Sequence, residues 1–478
     1  MKCKYCDNYI QIELVPTCEI CGKRQPFPKI FIIISMIAIV AAIAVALIIF
    51  MRPAPTEITI QGVRHCTSLT ELRLSGMELS NSDIRQLRHM TNLTCLRITQ
   101  TRISDISALR HMPNLERLML CGNHIEDISV LADLTKLEHL EICCNYISDI
   151  SALAGLTNLT VLVLNENEIS DIRALSELTN LEDLLIRGNQ INDISPLGNM
   201  VNLTTLRLGS NPVGDISALG SLTNLMTLEA HNIQVSDISA LSGLVNLTYL
   251  VLTSNNIQDI SALSSLTNLE QLRMFGNHIN DISALSGMSN LIFLSFQNNE
   301  IDDIRPLENL TQMRVLLING NQISDINPLS NLTNLESLNI GENKIRDISA
   351  LASLTALESL NLNNNYISDI NVLSGLTGLE SLVLSENEIQ DISVLSGLRN
   401  ITHLNLHGVP IDDISVLKNL RDLTVLSLDI DSIEDYSLLV SLTNLERLYL
   451  YGNHTSEQRD TLRALLPNSQ VTFIGRSS

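Results

Sequence analysis

The sequence predicts an α/β solenoid: a horseshoe of 22-residue coils with a parallel β concave face and short helical or 3-10 turns on the convex side. Three observations predict it. An aspartate recurs every 22 residues from Asp83 to Asp435 with no insertion, which defines 17 units. Each unit follows D-I-S-x-L-x-x-L-T-N-L-x-x-L-x-L-x-x-N-x-I-x, and its apolar positions alternate where a short strand would lie. Aromatic residues are only 3% of a chain that is 45% hydrophobic, a balance that suits a leucine-built array better than a compact enzyme core.

Each position of the unit has a physical role, and the pattern as a whole is that of a leucine-rich repeat. In "LTVLVLNENEI" Leu159, Leu162 and Leu164 are expected to point inward, while Val161, Val163 and Asn165 face outward. Asn167 is expected to turn inward, where its amide can satisfy loop backbone groups. Asparagine recurs at this position from Asn123 to Asn453, with Thr101, Ile233, Val409 and Asp431 as exceptions. Asp171 is expected to cap the convex turn by accepting backbone N–H bonds. A column of aspartates also raises calcium. Capping explains one carboxylate per coil without a metal, and the Gly-rich turn of calcium-binding β-helix repeats is absent.

A coil cannot bury its own apolar edge, so the array needs ends. Residues 57–82 read as an N-terminal cap, with an extra strand from Ile58 to Gly62 and Cys66 in a core leucine position. Residues 83–454 are the repeats. Residues 455–478 read as a C-terminal cap: a helix from Ser456 whose Leu462, Leu465 and Leu466 cover the last coil, then a strand.

Two further segments are expected before the array. Residues 30–51 form an uncharged run that covers about 33 Å as a helix, enough to span a bilayer. The run is too long and starts too late for a cleaved signal peptide, and reads as a transmembrane signal anchor. In residues 1–29, Cys3, Cys6, Cys18 and Cys21 form two C-x-x-C pairs. Four thiolates from two tight turns make a closed tetrahedral site for structural zinc. The spacing is short, and the segment looks like the miniature zinc ribbons at the N-termini of many bacterial proteins. Lys2, Lys4, Lys23, Arg24 and Lys29 precede the apolar run, whereas only Arg52 and Arg64 follow closely. This predicts a cytoplasmic N-terminus and extracellular repeats.

The net charge of −22 argues against nucleic acid as a partner. No G-x-S-x-G, H-E-x-x-H or Walker motif occurs, so no catalytic or organic-cofactor residues are assigned and the chain is not expected to be an enzyme. Binding residues are sought instead at outward strand positions, where residues 22 apart stack on neighbouring strands. Tyr249, Val251, Arg273, Phe275, Phe293, Val315 and Leu317 form one candidate partner-binding patch. Arg447, Tyr449 and Tyr451 form a second, and Arg97, Arg117, Met119, His139 and Glu141 a third. Exposed aromatics around an arginine are common interface anchors. Cys121 and Cys143 fall on adjacent rungs at a spacing compatible with a disulfide. The default expectation for them, as for Cys95 and Cys144, is a free thiol.

"NQISDINPLSNLTNLESLNI" at 321–340, and the pattern over about 57–475, resemble the internalin-like class of bacterial leucine-rich repeat proteins. The resemblance implies a cell-surface module whose concave face binds a partner, often a host protein in internalins themselves. A cleaved signal, an immunoglobulin-like domain after the repeats and a cell-wall sorting motif are not found, so host-cell invasion does not carry over. The expected protein is a single-pass, membrane-anchored recognition or adhesion protein with a protein ligand. With inverted topology the same chain would be a cytosol-facing scaffold or regulatory protein.

Overall fold

A computed structural model describes residues 55–411, 413–429 and 436–475. The cysteine tetrad and the apolar run of residues 30–51 lie outside the described residues, as do Asp431 and Asp435. Among the described residues no helix is long and apolar enough to cross a membrane. The chain divides into two units, Met1–Ile58 and Thr59–Ser478, and the second is the solenoid.

Among the described residues nineteen parallel strands form its sheet, from Glu71–Ser75 to Gln470–Ile474. Most strands are three residues long and pair in a 22-residue step, as where Thr227 faces Tyr249. The ends depart from that step. Glu71 faces Cys95 and Arg447 faces Gln470, so one coil at each end is longer than the repeat. Leu159, Leu162 and Leu164 are fully buried, and Ile169, Ile172, Leu175 and Leu178 complete the interior of that coil. The convex side is built of 3-10 turns such as Ser239–Gly243. An α-helix is about 10–12 Å across and does not stack at the strand spacing of about 4.8 Å, so the short, small-residue "SALSG" turn closes the coil instead.

The repeat asparagine fastens each coil to the one before it. Asn277 Nδ2 donates to Leu252 O and Met274 O, both at 3.0 Å, and its Oδ1 accepts from Ile257 N–H at 3.0 Å. Asn255 does the same one rung earlier and also accepts from Ile233 N–H. At Ile233 the amide is missing, and Val213 N–H closes onto Asn211 O instead. The residue before each of these positions is left-handed, including Glu166, Glu342 and Glu386 with φ near 55°. This geometry lets its N–H reach the next rung, as Glu166 N–H does to Arg187 O at 2.8 Å.

The aspartate column sits at the start of the convex turns. Asp171 Oδ1 accepts the N–H of Arg173, the first residue of its turn, at 2.9 Å, and the same bond recurs from Asp105 to Asp413. Asp83 differs. It closes a capping box with Ser80 at the helix Asn81–Gln86. A second asparagine column, the N of L-T-N-L, has a role that the sequence does not disclose. Asn246 Nδ2 donates to Thr223 O at 2.9 Å, and its counterparts in most coils do likewise.

Three expectations need correction. Cys66 is exposed rather than buried, because it ends the strand Val63–Cys66 before the regular coils begin. Asn453 is also exposed, since the chain turns there into the closing helix Ser456–Leu465 instead of another coil. Cys121 and Cys143 are not free thiols. They form a disulfide between adjacent rungs, with Cα atoms 4.6 Å apart. In the closing helix Leu462 and Leu466 are buried and Leu465 is half-buried.

Replacing Asn277 by Ala orphans the buried Ile257 N–H and removes one of two asparagine donors from each of Leu252 O and Met274 O, and is expected to cost about 1–3 kcal/mol, whereas Asn453→Ala costs less than about 0.5. Urea denaturation monitored by circular dichroism checks this; equal costs would remove the stapling role. The aspartates predict an acid limit. Backbone N–H bonds from Ser129 and Ser195, then their side chains, hold Asp127 and Asp193 below the ordinary 3.8. The Arg173 side chain and backbone hold Asp171 at about 2. A carboxyl lowered on folding contributes stability above its unfolded pKa and loses it as pH falls through its folded pKa. The urea midpoint is therefore expected to hold above about pH 5 and to fall between about pH 4 and 2. A midpoint that stays level through that window contradicts the assignment.

Candidate functional site: an aromatic patch around Arg273

Outward positions of the sheet carry little folding load, because the leucines between them fill the interior. The four strands Tyr249–Val251, Gln271–Arg273, Phe293–Ser295 and Val315–Leu317 are consecutive neighbours. Their register sets Tyr249, Gln271, Phe293 and Val315 in one row and Val251, Arg273, Ser295 and Leu317 in the next. Phe275 follows on the loop beyond Arg273 and is 41% exposed. All seven residues of the first candidate patch thus meet on one face.

Arg273 is its centre. The guanidinium carbon lies 4.5 Å from the Phe293 ring centroid and 5.6 Å from that of Tyr249, so the cation sits between two aromatic faces. Gln271 Oε1 accepts a long 3.4 Å bond from Nη2. Nε is buried and has no hydrogen-bond partner. Val251 is nearly buried beside it, while Leu317 and Val315 are half-buried.

In the second candidate patch, Arg447 is exposed and Tyr449 and Tyr451 are half-buried on the strand Arg447–Tyr451. The structure adds residues that the sequence reading missed. His407 stacks on Tyr451 with ring centroids 3.7 Å apart. Its Nδ1 lies 3.1 Å from Asp429 Oδ1 and its Nε2 3.3 Å from Glu386 Oε1. They line a depression of about 430 Å³ with Gly408. The 22-residue offset of His407, Asp429 and Tyr451 was the available signal. Both imidazole nitrogens face carboxylates, which leaves neither aimed at a nucleophile. In the third group Arg97 Nε lies 3.2 Å from Met119 Sδ, and His139 and Glu141 are 2.6 Å apart. Among the described residues no cluster of three or more His, Cys, Asp or Glu side chains is placed to hold a metal ion.

A solenoid of stacked leucine coils with a decorated strand face is the architecture of a recognition scaffold. The chain belongs to the leucine-rich repeat family. Its two-copy "Leucine Rich repeats" model matches residues 113–155, 245–287, 289–331, 333–375 and 377–419, and a second leucine-rich repeat model matches 135–191. Internalins are among its structural neighbours. The internalin InlF of Listeria monocytogenes is 37% identical, over 65% of this chain and 86% of its own, with a TM-score of 0.56. A leucine-rich repeat protein of Leptospira interrogans is 21% identical over 84% of this chain and 100% of its own, with a TM-score of 0.63. The plant peptide hormone receptor RGFR1, in complex with RGF2, is 19% identical over 86% of this chain and 88% of its own, with a TM-score of 0.56. The last two show the fold alone. No curated protein matches the chain in sequence.

The patch is expected to be dispensable for folding. Phe275→Ala should leave the unfolding midpoint nearly unchanged, while Leu272→Ala, one position inward of Arg273, should cost about 2–5 kcal/mol. Paired urea titrations check this. A comparable loss at Phe275 would mark the patch as structural.

Proposed function

We propose that this chain is a membrane-anchored cell-surface recognition or adhesion protein that binds a protein partner through the concave face of its repeats. The observation that carries the reading is the contiguous patch of Tyr249, Val251, Arg273, Phe275, Phe293, Val315 and Leu317. Aromatic and arginine side chains clustered on four rungs offer the anchors that protein interfaces use. Arg447, Tyr449 and Tyr451, joined by His407, form a smaller contact area toward the end of the array. That RGFR1 is a peptide hormone receptor seen with RGF2 supports a proteinaceous ligand.

Residues 30–51 anchor the chain in this proposal. Residues 1–29 fold as a cytoplasmic ribbon on one structural zinc held by Cys3, Cys6, Cys18 and Cys21. The lysine and arginine excess ahead of the apolar run supports repeats outside the cell. The Cys121–Cys143 disulfide supports the same side, because such bonds persist in oxidising surroundings. One observation favours a second reading, a cytosol-facing membrane-tethered scaffold: Cys144 is exposed and carries a free thiol.

Protease treatment of intact bacterial cells producing the chain separates the two. The surface reading expects residues 57–478 to be shaved from intact cells. Survival there, with digestion only after lysis, overturns it in favour of the scaffold. Elemental analysis of the purified protein should find about one zinc per molecule, lost on Cys18→Ser. A zinc-free wild-type protein rejects the ribbon.

A further inference from the structure

We propose that Arg273 is a carboxylate receptor, so that the ligand class of this face is a peptide segment carrying an acidic group beside a large apolar side chain. This rests on the reading of the strand face as partner-binding and names what that face selects.

The geometry of the guanidinium points to it. Its carbon lies over the rings of Tyr249 and Phe293, 5.6 and 4.5 Å from their centroids, and such contacts with ring faces do not use up the N–H donors of a guanidinium. Those donors are poorly satisfied. Nε is buried without a partner, and Gln271 Oε1 accepts from Nη2 only at 3.4 Å. A buried donor left without an acceptor is costly, and native structures rarely keep one without a use.

Charge supports an anionic ligand. The chain carries 52 acidic residues against 30 lysines and arginines. Several arginines on neighbouring rungs find carboxylates: Arg207 lies 3.3 Å from Glu229, Arg187 lies 3.7 Å from Glu166, and Arg314 Nε bonds Glu336 at 2.9 Å. Arg273 has Val251 and Ser295 as its rung neighbours and pairs with no carboxylate among the described residues. Aromatic faces in place of water screen the charge less, and the planar fork matches a carboxylate through two parallel bonds. A single guanidinium in so acidic a protein suits a monoanion better than a phosphate dianion. Val251, Phe275 and Leu317 flank it and supply the apolar wall for a neighbouring side chain. The carboxylate has two sources that share this chemistry, the side group of an Asp or Glu and the free C-terminus of a peptide.

Random heptapeptides displayed in two formats, tethered at both ends or with a free C-terminus, are panned on the full-length protein in detergent micelles. Selected peptides are resynthesised and titrated against wild type, Arg273→Gln, Arg273→Lys and Phe275→Ala. Tethered peptides are expected to carry Asp or Glu next to Leu, Ile, Phe or Tyr if the source is a side group. Enrichment only in the free-terminus format assigns the terminal carboxylate. Either way, affinity should fall at least about 10-fold on Arg273→Gln and be partly kept by Arg273→Lys. The peptide's own amide, Glu→Gln or an amidated terminus, should lose as much and fall no further on Arg273→Gln, since the two changes remove one interaction. Selected peptides without a carboxylate, or with phosphate-dependent binding, overturn the proposal. So does equal affinity for wild type and Arg273→Gln; if Phe275→Ala still weakens those peptides, the concave-face reading survives and only the carboxylate falls. Peptides indifferent to both variants, or no enrichment at all, overturn both.

Discussion

Everything in this solenoid depends on one stacked asparagine. A coil with a three-residue strand and a short 3-10 turn leaves many backbone groups in tight bends, where neither helix nor sheet ladders reach them. Burying such groups unsatisfied would outweigh the gain from the leucines beside them. Asn277 and its counterparts answer this with one side chain that donates twice and accepts once; one donated bond and the accepted bond cross to the preceding rung, and the other donated bond closes within its own coil. The residue before it lies in the left-handed region, even where that residue is Glu342 or Cys144, and also before Ile233, where the asparagine is missing. Strain at these positions is offset by the extra rung-to-rung bond each N–H makes.

Because interior leucines and asparagines carry the folding, the outward strand positions are left to other uses. The contrast between rungs is informative. Three and four rungs after Arg273, the same rows present Ser337, Asn339, Ser359 and Asn361. Those small polar side chains suit a wet, undecorated surface. On the rungs from Tyr249 to Leu317 the backbone is the same and the side chains are aromatic, aliphatic and cationic. Specificity in this architecture is written by row and rung, not by any change of fold.

Charge is arranged on the same grid. The aspartate column lies on the convex side, where each carboxylate takes a backbone N–H at the start of a turn and holds its coil's geometry. The strand face keeps several of its arginines neutralised by glutamates. Arg273 departs from that habit, lodged between two rings with a buried donor unanswered. At the C-terminal side, His407 shows the opposite arrangement, its ring satisfied by Asp429 and Glu386 and stacked on Tyr451.

The sequence by itself determined the repeat length, the inward leucines, the inward asparagine and the row of outward residues. All follow from a two-residue alternation within strands and a 22-residue step between them, and both periods are visible in one dimension. It could also place Tyr249, Arg273 and Phe293 near each other by that step alone. Tertiary structure decided what depends on distances across coils. The second asparagine column, the left-handed glutamates and the His407 cluster are legible only once i and i+22 have their real separation and side-chain direction. The Cys121–Cys143 bond was likewise only permitted by rung spacing; the actual meeting of the two sulfurs chose it. Cys66 and Asn453 mark the converse failure. Their positions obey the repeat pattern, but at the ends of the array there is no next coil to bury them, and periodicity cannot report where its own physical cause stops.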